Sequence, residues 1–194
     1  MTETPKRQRN NDNKRKSDKK RTNFAKPGAD HRSPDRKPKK LAVSARRAAY
    51  DSLIRCGRDG KYSNIEIDSV LKKTGLEGAE RGLFTTLVYG SIERAITLDY
   101  ALSLVSDKAP EKLDPEVRTV LRLALYQIIF LDRVPESAAV NEAVVLAKDV
   151  MFSSATFVNA VLRGYLRRFG KGTAGLFSEI SRIQDVNERL SVRY

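Results

Sequence analysis

From residue 114 to residue 150 the apolar side chains recur with a period close to 3.6, broken once by a short polar interval. Val117, Val120, Leu121, Ala124, Leu125 and Ile128 stand at i, i+3, i+4, i+7 spacing and predict one broad helical face. Leu123, Ile129, Phe130 and Leu131 carry that face almost all the way round, and only Arg118, Arg122 and Gln127 interrupt it. Such a helix belongs at the buried centre of a bundle. Asp114 supplies an N-cap residue, and Pro115 occupies the first helical position, where its missing N–H costs nothing. Residues 132–135 make a connection short enough to force antiparallel neighbours. A second amphipathic helix then points Val140, Ala143, Val144, Ala147 and Val150 inward.

The same period runs through most of the chain beyond Leu41. A helix over about 43–57 places Ala45, Ala49, Leu53 and Cys56 on one stripe and Arg47, Asp51, Arg55 and Arg58 on the opposite one. RDGKYSN at 58–64 is a turn, with Ser63 or Asn64 able to cap the next helix. That helix, about 64–74, offers Ile67, Val70 and Leu71 and ends near Gly75. A long helical region over about 78–105 follows, with Leu83, Leu87, Ile92, Ile96, Tyr100 and Leu104 as its expected core and a break near 97–99. No segment alternates with period two, so the fold class is all-α, a bundle of about seven helices.

After Phe169 the pattern weakens. GKGTAG at 170–175 matches a glycine-rich dinucleotide fingerprint, but that site needs a preceding strand and a βαβ unit, and here the glycines follow a basic helix. A helix stop or linker is the better reading. Leu176, Ile180 and Ile183 keep a faint helical period, and LSVRY at 190–194 is more extended in character.

Four segments in order carry a resemblance: SARRAAYDSLIRCGRDGKYSN at 44–64, LVYGSIERAITLDYALS at 87–103, LRLALYQIIFLDRVPESAAVNEAVVLAK at 121–148 and FVNAVLRGYLRR at 157–168. Together they resemble the NusB-type RNA-binding domain, and within that group the version at the N-terminus of RsmB-type (Sun/Fmu) methyltransferases, which make 5-methylcytosine in small-subunit ribosomal RNA. The resemblance implies an RNA-binding domain over 41–169, with 170–194 leading toward a catalytic domain outside these residues. S-adenosylmethionine and a cysteine nucleophile would belong to that domain, so no cofactor and no methyl transfer are expected of this chain by itself. Its implied partners are ribosomal RNA and its own catalytic domain. A free-standing NusB-type antitermination factor and a protein-interaction bundle without an RNA role are the alternatives.

Charge changes this picture at the N-terminus. Residues 1–40 hold 15 Lys/Arg against five Asp/Glu, so +10 of the formal +13 lies there. Met1 and Phe24 are its only sizeable apolar side chains, too few to offset the entropy of ordering, so a disordered arm is expected. A flexible polycation favours a polyanion, and Lys14, Arg15, Lys16, Lys19, Lys20, Arg21, Lys37, Lys39 and Lys40 are candidate RNA contacts. Without an amphipathic helix or a myristoylation signal, the arm does not point to a membrane. ALYQIIFL at 124–131, the longest apolar run, is too short to span a bilayer, and no signal peptide opens the chain, so a cytoplasmic location is expected.

The chemistry-bearing residues are few. Cys56, the one cysteine, lies on an apolar stripe and reads as a small hydrophobe; His31 lies in the arm without a second metal ligand, so no metal site is expected. Arg46, Arg47, Arg55, Arg58 and Lys61 form a basic cluster that continues the arm. The resemblance assigns RNA contact to Arg46; Arg47, Arg55 and Arg58 follow from their shared face. The competing account is a solvated face with i, i+4 pairs Arg47–Asp51 and Asp51–Arg55. Arg163, Arg167, Arg168 and Lys171 make a second cluster that either extends the surface or faces another domain. Asn141 and Asn159, set among apolar residues, are expected to hydrogen-bond backbone across helix junctions.

Overall fold

The computed structural model describes residues 43–60 and 63–191, with side chains placed through Arg182. The arm residues 1–40, Lys61 and the Ile183 side chain therefore lie outside the described residues. What is described is all-α: α1 (Ala45–Asp59), α2 (Ser63–Thr74), α3 (Gly78–Glu93), α4 (Ala95–Ser103), α5 (Pro115–Phe130), α6 (Glu136–Val150), α7 (Ala155–Phe169) and α8 (Ala174–Ser191). Two single turns of 3-10 helix, Pro110–Lys112 and Phe152–Ser154, join α4 to α5 and α6 to α7.

Helix α5 is the axle of the bundle. It packs against α1, α3, α4, α6 and α7, and Val120, Leu121, Leu125, Ile128 and Ile129 are shut off from solvent. Asp114 takes the N-cap position and Pro115 the first helical one, but the Asp114 carboxylate makes no capping bond. Of the side chains expected inward on α6, Val140, Ala143 and Ala147 are buried, while Val144 and Val150 pack at the edge of the core.

The long helical region divides at Arg94, earlier than the expected 97–99, and the faces exchange there. Leu98, Ala101 and Leu102 turn into the core, Ile92 is left exposed, and Ile96 is 88% exposed, so these two isoleucines are not core residues. The Arg94 guanidinium sits 5.4 Å from the Phe130 ring centroid and caps the joint from outside. Just before the joint, Gly90 lets α3 pass close to α5: a Cβ there would come within 2.0 Å of the Tyr126 ring.

Beyond α7 the chain stays on the bundle. Gly170 (φ 72°) and Gly172 (φ 89°) take left-handed conformations that turn it back, and the Gly172 N–H donates to Ile128 O at 3.0 Å. Leu176 is fully buried and Ile180 packs beside it. Gly175 lies so close to Phe169 that a Cβ would fall 2.2 Å from its carbonyl oxygen. The faint helical period of this segment is realised as a helix over residues 174–191, anchored on the same core. It runs through Ser191, into the LSVRY stretch expected to be more extended. Burial of Leu176, with Ile180 packed at the edge of the core, reinforces that weak local pattern.

Candidate nucleic-acid interface

Helix α1 has two faces of opposite character. Ser44 caps it by accepting from the Arg47 N–H at 3.3 Å, and Gly60, at φ 62°, ends it. Ala45, Ala48, Ala49, Tyr50 and Ser52 are buried. Burial raises the Tyr50 phenol pKa above its ordinary value, with Glu116 adding to the effect. Leu53 and Cys56, expected to be buried, are only half-covered.

The opposite face carries Arg47, Arg55 and Arg58, with 41%, 41% and 66% of their side chains exposed. Each has a carboxylate partner. Arg47 donates to Asp51 at 3.1 Å, reaches Asp149 of α6 at 3.7 Å and lies 5.8 Å from the Tyr50 ring centroid. Arg55 does not take the Asp51 partner expected from i, i+4 spacing; it bonds Glu66 of α2. Arg58 bonds Glu116 of α5. Exposed pairs of this kind contribute only about 0–1 kcal/mol, so a phosphate can compete for the arginine at little loss. Arg55 is the exception in kind, because the Glu66 side chain is only 6% exposed and depends on it.

Arg46 is set apart from the other three. Its Nε donates to Gln127 Oε1 at 2.7 Å, and the buried Gln127 donates in turn to Leu123 O at 2.9 Å. Half-buried Arg46 therefore satisfies the one polar side chain buried in the last turns of α5. Gln127 was legible as an interruption of an apolar face, but its partner 81 residues away was not.

In the second basic cluster, Arg168 holds α8 and Lys171 holds the α5–α6 connection. Arg168 donates to Leu104 O at 2.7 Å, pairs with Glu179 at 3.2 Å and lies 4.9 Å from the Phe169 ring centroid. Lys171 donates to Asp132 O at 2.6 Å. Bonded by Arg182 and Arg168, the Glu179 carboxyl titrates below its usual range. Arg163 donates to Asn159 Oδ1 at 2.9 Å within its own helix. The expected cross-junction bonds of the two asparagines are not made: Asn159 faces Arg163, and Asn141 is exposed on α6.

Comparisons with known proteins agree with this architecture. The NusB family model matches residues 43–167. The probable ribosomal RNA small subunit methyltransferase B of Bacillus subtilis is 42% identical over 126 residues, covering 64% of this chain but only 28% of that protein. The transcription antitermination protein NusB of Xanthomonas axonopodis pv. citri is 33% identical over 125 residues, covering 63% of this chain and 77% of that one. Among solved structures, Thermotoga maritima NusB superposes with a TM-score of 0.58 at 23% identity, over 63% of this chain and 88% of that one. NusB in a complex with NusE and double-stranded RNA gives 0.57 at 21% identity, over 63% and 93%. This chain belongs to the NusB family.

Proposed function

We propose that this bundle is the RNA-binding domain of a small-subunit ribosomal RNA cytosine-C5 methyltransferase. The observation that carries the reading is the 42% identity to a methyltransferase of this class, against 33% to a stand-alone NusB. The chain spans little more than a quarter of that methyltransferase, so a catalytic domain outside these 194 residues is part of the proposal. Such a domain would bind S-adenosylmethionine and carry out methyl transfer. The bundle's part is to hold ribosomal RNA by its phosphates and so orient it.

In this reading the contacts come from Arg47, Arg55 and Arg58 on α1, from Lys61 beyond it, and from the arm cations between Lys14 and Lys40. Arg46 contributes mainly by fixing α1 on α5. No helix among the described residues is long and apolar enough to cross a membrane.

Binding of residues 1–194 to small-subunit ribosomal RNA, measured across a salt series, tests the reading. Affinity should fall steeply with salt, because each neutralised phosphate releases counterions, and deleting 1–40 should flatten that slope. Undetectable binding at low salt, or binding indifferent to the deletion, would remove the RNA role assigned to the arm. The same purified chain should transfer no labelled methyl group. A second reading, a stand-alone antitermination factor, draws on the 77% coverage of the Xanthomonas NusB. A methyltransferase domain encoded after Tyr194 would exclude it.

A further inference from the structure

A cavity of about 630 Å³ opens between the C-terminal half of α1, the joint of α3 and α4, and the first turns of α5. Its size lies within the range of about 300–1,000 Å³ typical of sites for small organic groups. Leu53, Ile54, Ile92 and Ala95 supply apolar walls, and Ile96 extends the apolar surface from α4 into solvent.

Two polar features of this cavity have no use within the bundle. The first is Ser91, on its lining: the residue is 3% exposed, and its Oγ has no hydrogen-bond partner. Buried hydroxyls are normally satisfied, so an unpartnered one on a cavity wall marks a place where a ligand's polar edge can bond. The second is a charge imbalance. Three guanidiniums line the cavity; Arg58 is neutralised by Glu116 and Arg122 by a two-pronged pair with Asp99. Half-buried Arg118 has no carboxylate partner among the described residues. One uncompensated cation beside apolar walls and a lone buried hydroxyl suits a ligand with one anionic group, one flat apolar face and one hydrogen-bonding edge.

We propose that this cavity receives a single unstacked nucleotide of the bound RNA. Its base would lie against Leu53, Ile54, Ile92 and Ala95 with an edge at Ser91, and its phosphate would sit at Arg118. The proposal rests on the RNA reading above and extends it from phosphate contact to capture of one base, the usual way proteins read single-stranded loops and bulges. Continuity favours RNA as the occupant. Arg58 belongs both to the basic face of α1 and to the cavity wall, so a backbone following that face arrives at the opening. The chain's own arm, with a net of +10, is a poor occupant for a cavity whose one unpaired charge among the described residues is a cation.

The test uses small-subunit ribosomal RNA fragments carrying a fluorescent base analogue at successive loop positions. Binding should change the emission strongly at one position, where the analogue leaves the stack. Ala95→Leu, which fills the cavity, and Arg118→Ala, which removes the charge, should each abolish that change and weaken binding about tenfold. Arg118→Ala should also lower the salt slope by about one. Ser91→Ala should leave the melting temperature equal or higher while weakening discrimination between bases at that position. Melting curves that match the parent show that the variants are folded. If the RNA binds with a steep salt dependence and these variants change neither affinity nor emission, the cavity proposal is overturned while the RNA reading stands. If the parent chain binds no RNA even at low salt, both fall. A cavity that takes an acidic peptide, with RNA binding unchanged in Arg118→Ala, counts against it equally.

Discussion

Helices α1 and α5 are neighbours of nearly equal length, 15 and 16 residues, yet they do opposite work. Helix α5 is surrounded by other helices, and almost every side chain it carries is set by the need to fill space between them. Helix α1 gives one face to the same core and turns three arginines outward from the other. Where α5 is enclosed it holds the fold and has no surface left with which to bind; only its first turns, at Arg118, open on the cavity. A half-buried helix is anchored by its partner and keeps a face for function. Much of the family pattern lies in the enclosed stretch of α5 from Val120 onward, away from the arginine-bearing face of α1.

The sharpest way to break the contrast is to cut the axle. Leu121→Ala removes a fully buried side chain from the centre of α5 and should lower stability by about 2–5 kcal/mol in urea unfolding. RNA binding should fail only as the bundle unfolds. Next comes the one place where the basic face reaches inward. Arg55→Ala strands the buried Glu66 carboxylate and should lower stability by about 1–3 kcal/mol, toward the low end because Arg55 is 41% exposed. Glu66→Gln in the same chain should recover part of that loss. For the same reason Arg55→Glu is a poor probe of RNA contact, since it would set two carboxylates against each other.

The purely functional face should behave differently. Arg47→Gln with Arg58→Gln, which remove the charges without setting carboxylates against Asp51, Asp149 and Glu116, should change stability by no more than about 1 kcal/mol. The same pair should weaken ribosomal RNA binding about tenfold or more and flatten its salt dependence. Equal losses in both measurements would erase the distinction between the two helices.

The smallest effect concerns a polar atom inside the core. The Tyr165 hydroxyl is buried without a hydrogen-bond partner, so Tyr165→Phe should leave stability unchanged or slightly higher near neutral pH. Burial pushes its phenol pKa up from 10.0 to about 12. The folded state therefore favours the neutral phenol. That contribution is fully present below about pH 10 and is lost as the pH rises through about 12. Denaturation at alkaline pH should show this loss in the parent chain and a smaller one in Tyr165→Phe.

Legibility in the sequence followed the source of each constraint. The α5–α6 pair was readable because its pattern is local: period, proline at the helix start and a short connection all lie within forty residues. The α3–α4 joint was misplaced by a few residues, because Ile92 and Ile96 fit a continuous helical stripe as well as Leu98 does. The choice between them shows only in the packing, where Leu98, Ala101 and Leu102 enter the core and Ile96 does not. In the same way, spacing proposed Asp51 as the partner of Arg55, whereas the fold offered a buried carboxylate on another helix. The cavity beside α5 left one sequence signal, two arginines interrupting an apolar face, with nothing to say that one would be paired and the other not.

The amino-acid sequence alone determined the all-α class, the buried central helix, the basic arm and the family, because helical periodicity, charge and motif order are properties of contiguous residues. Tertiary structure decided which arginines are committed and which remain available: Arg46 to Gln127, Arg55 to Glu66, Arg168 to Leu104 and Glu179, and Arg118 to no carboxylate among the described residues. It also decided that α8 docks on the core. The physical reason is one of range. A side chain's place on its own helix follows from the turn angle, but its partner comes from whichever helix the core brings within a few ångströms, often many residues away.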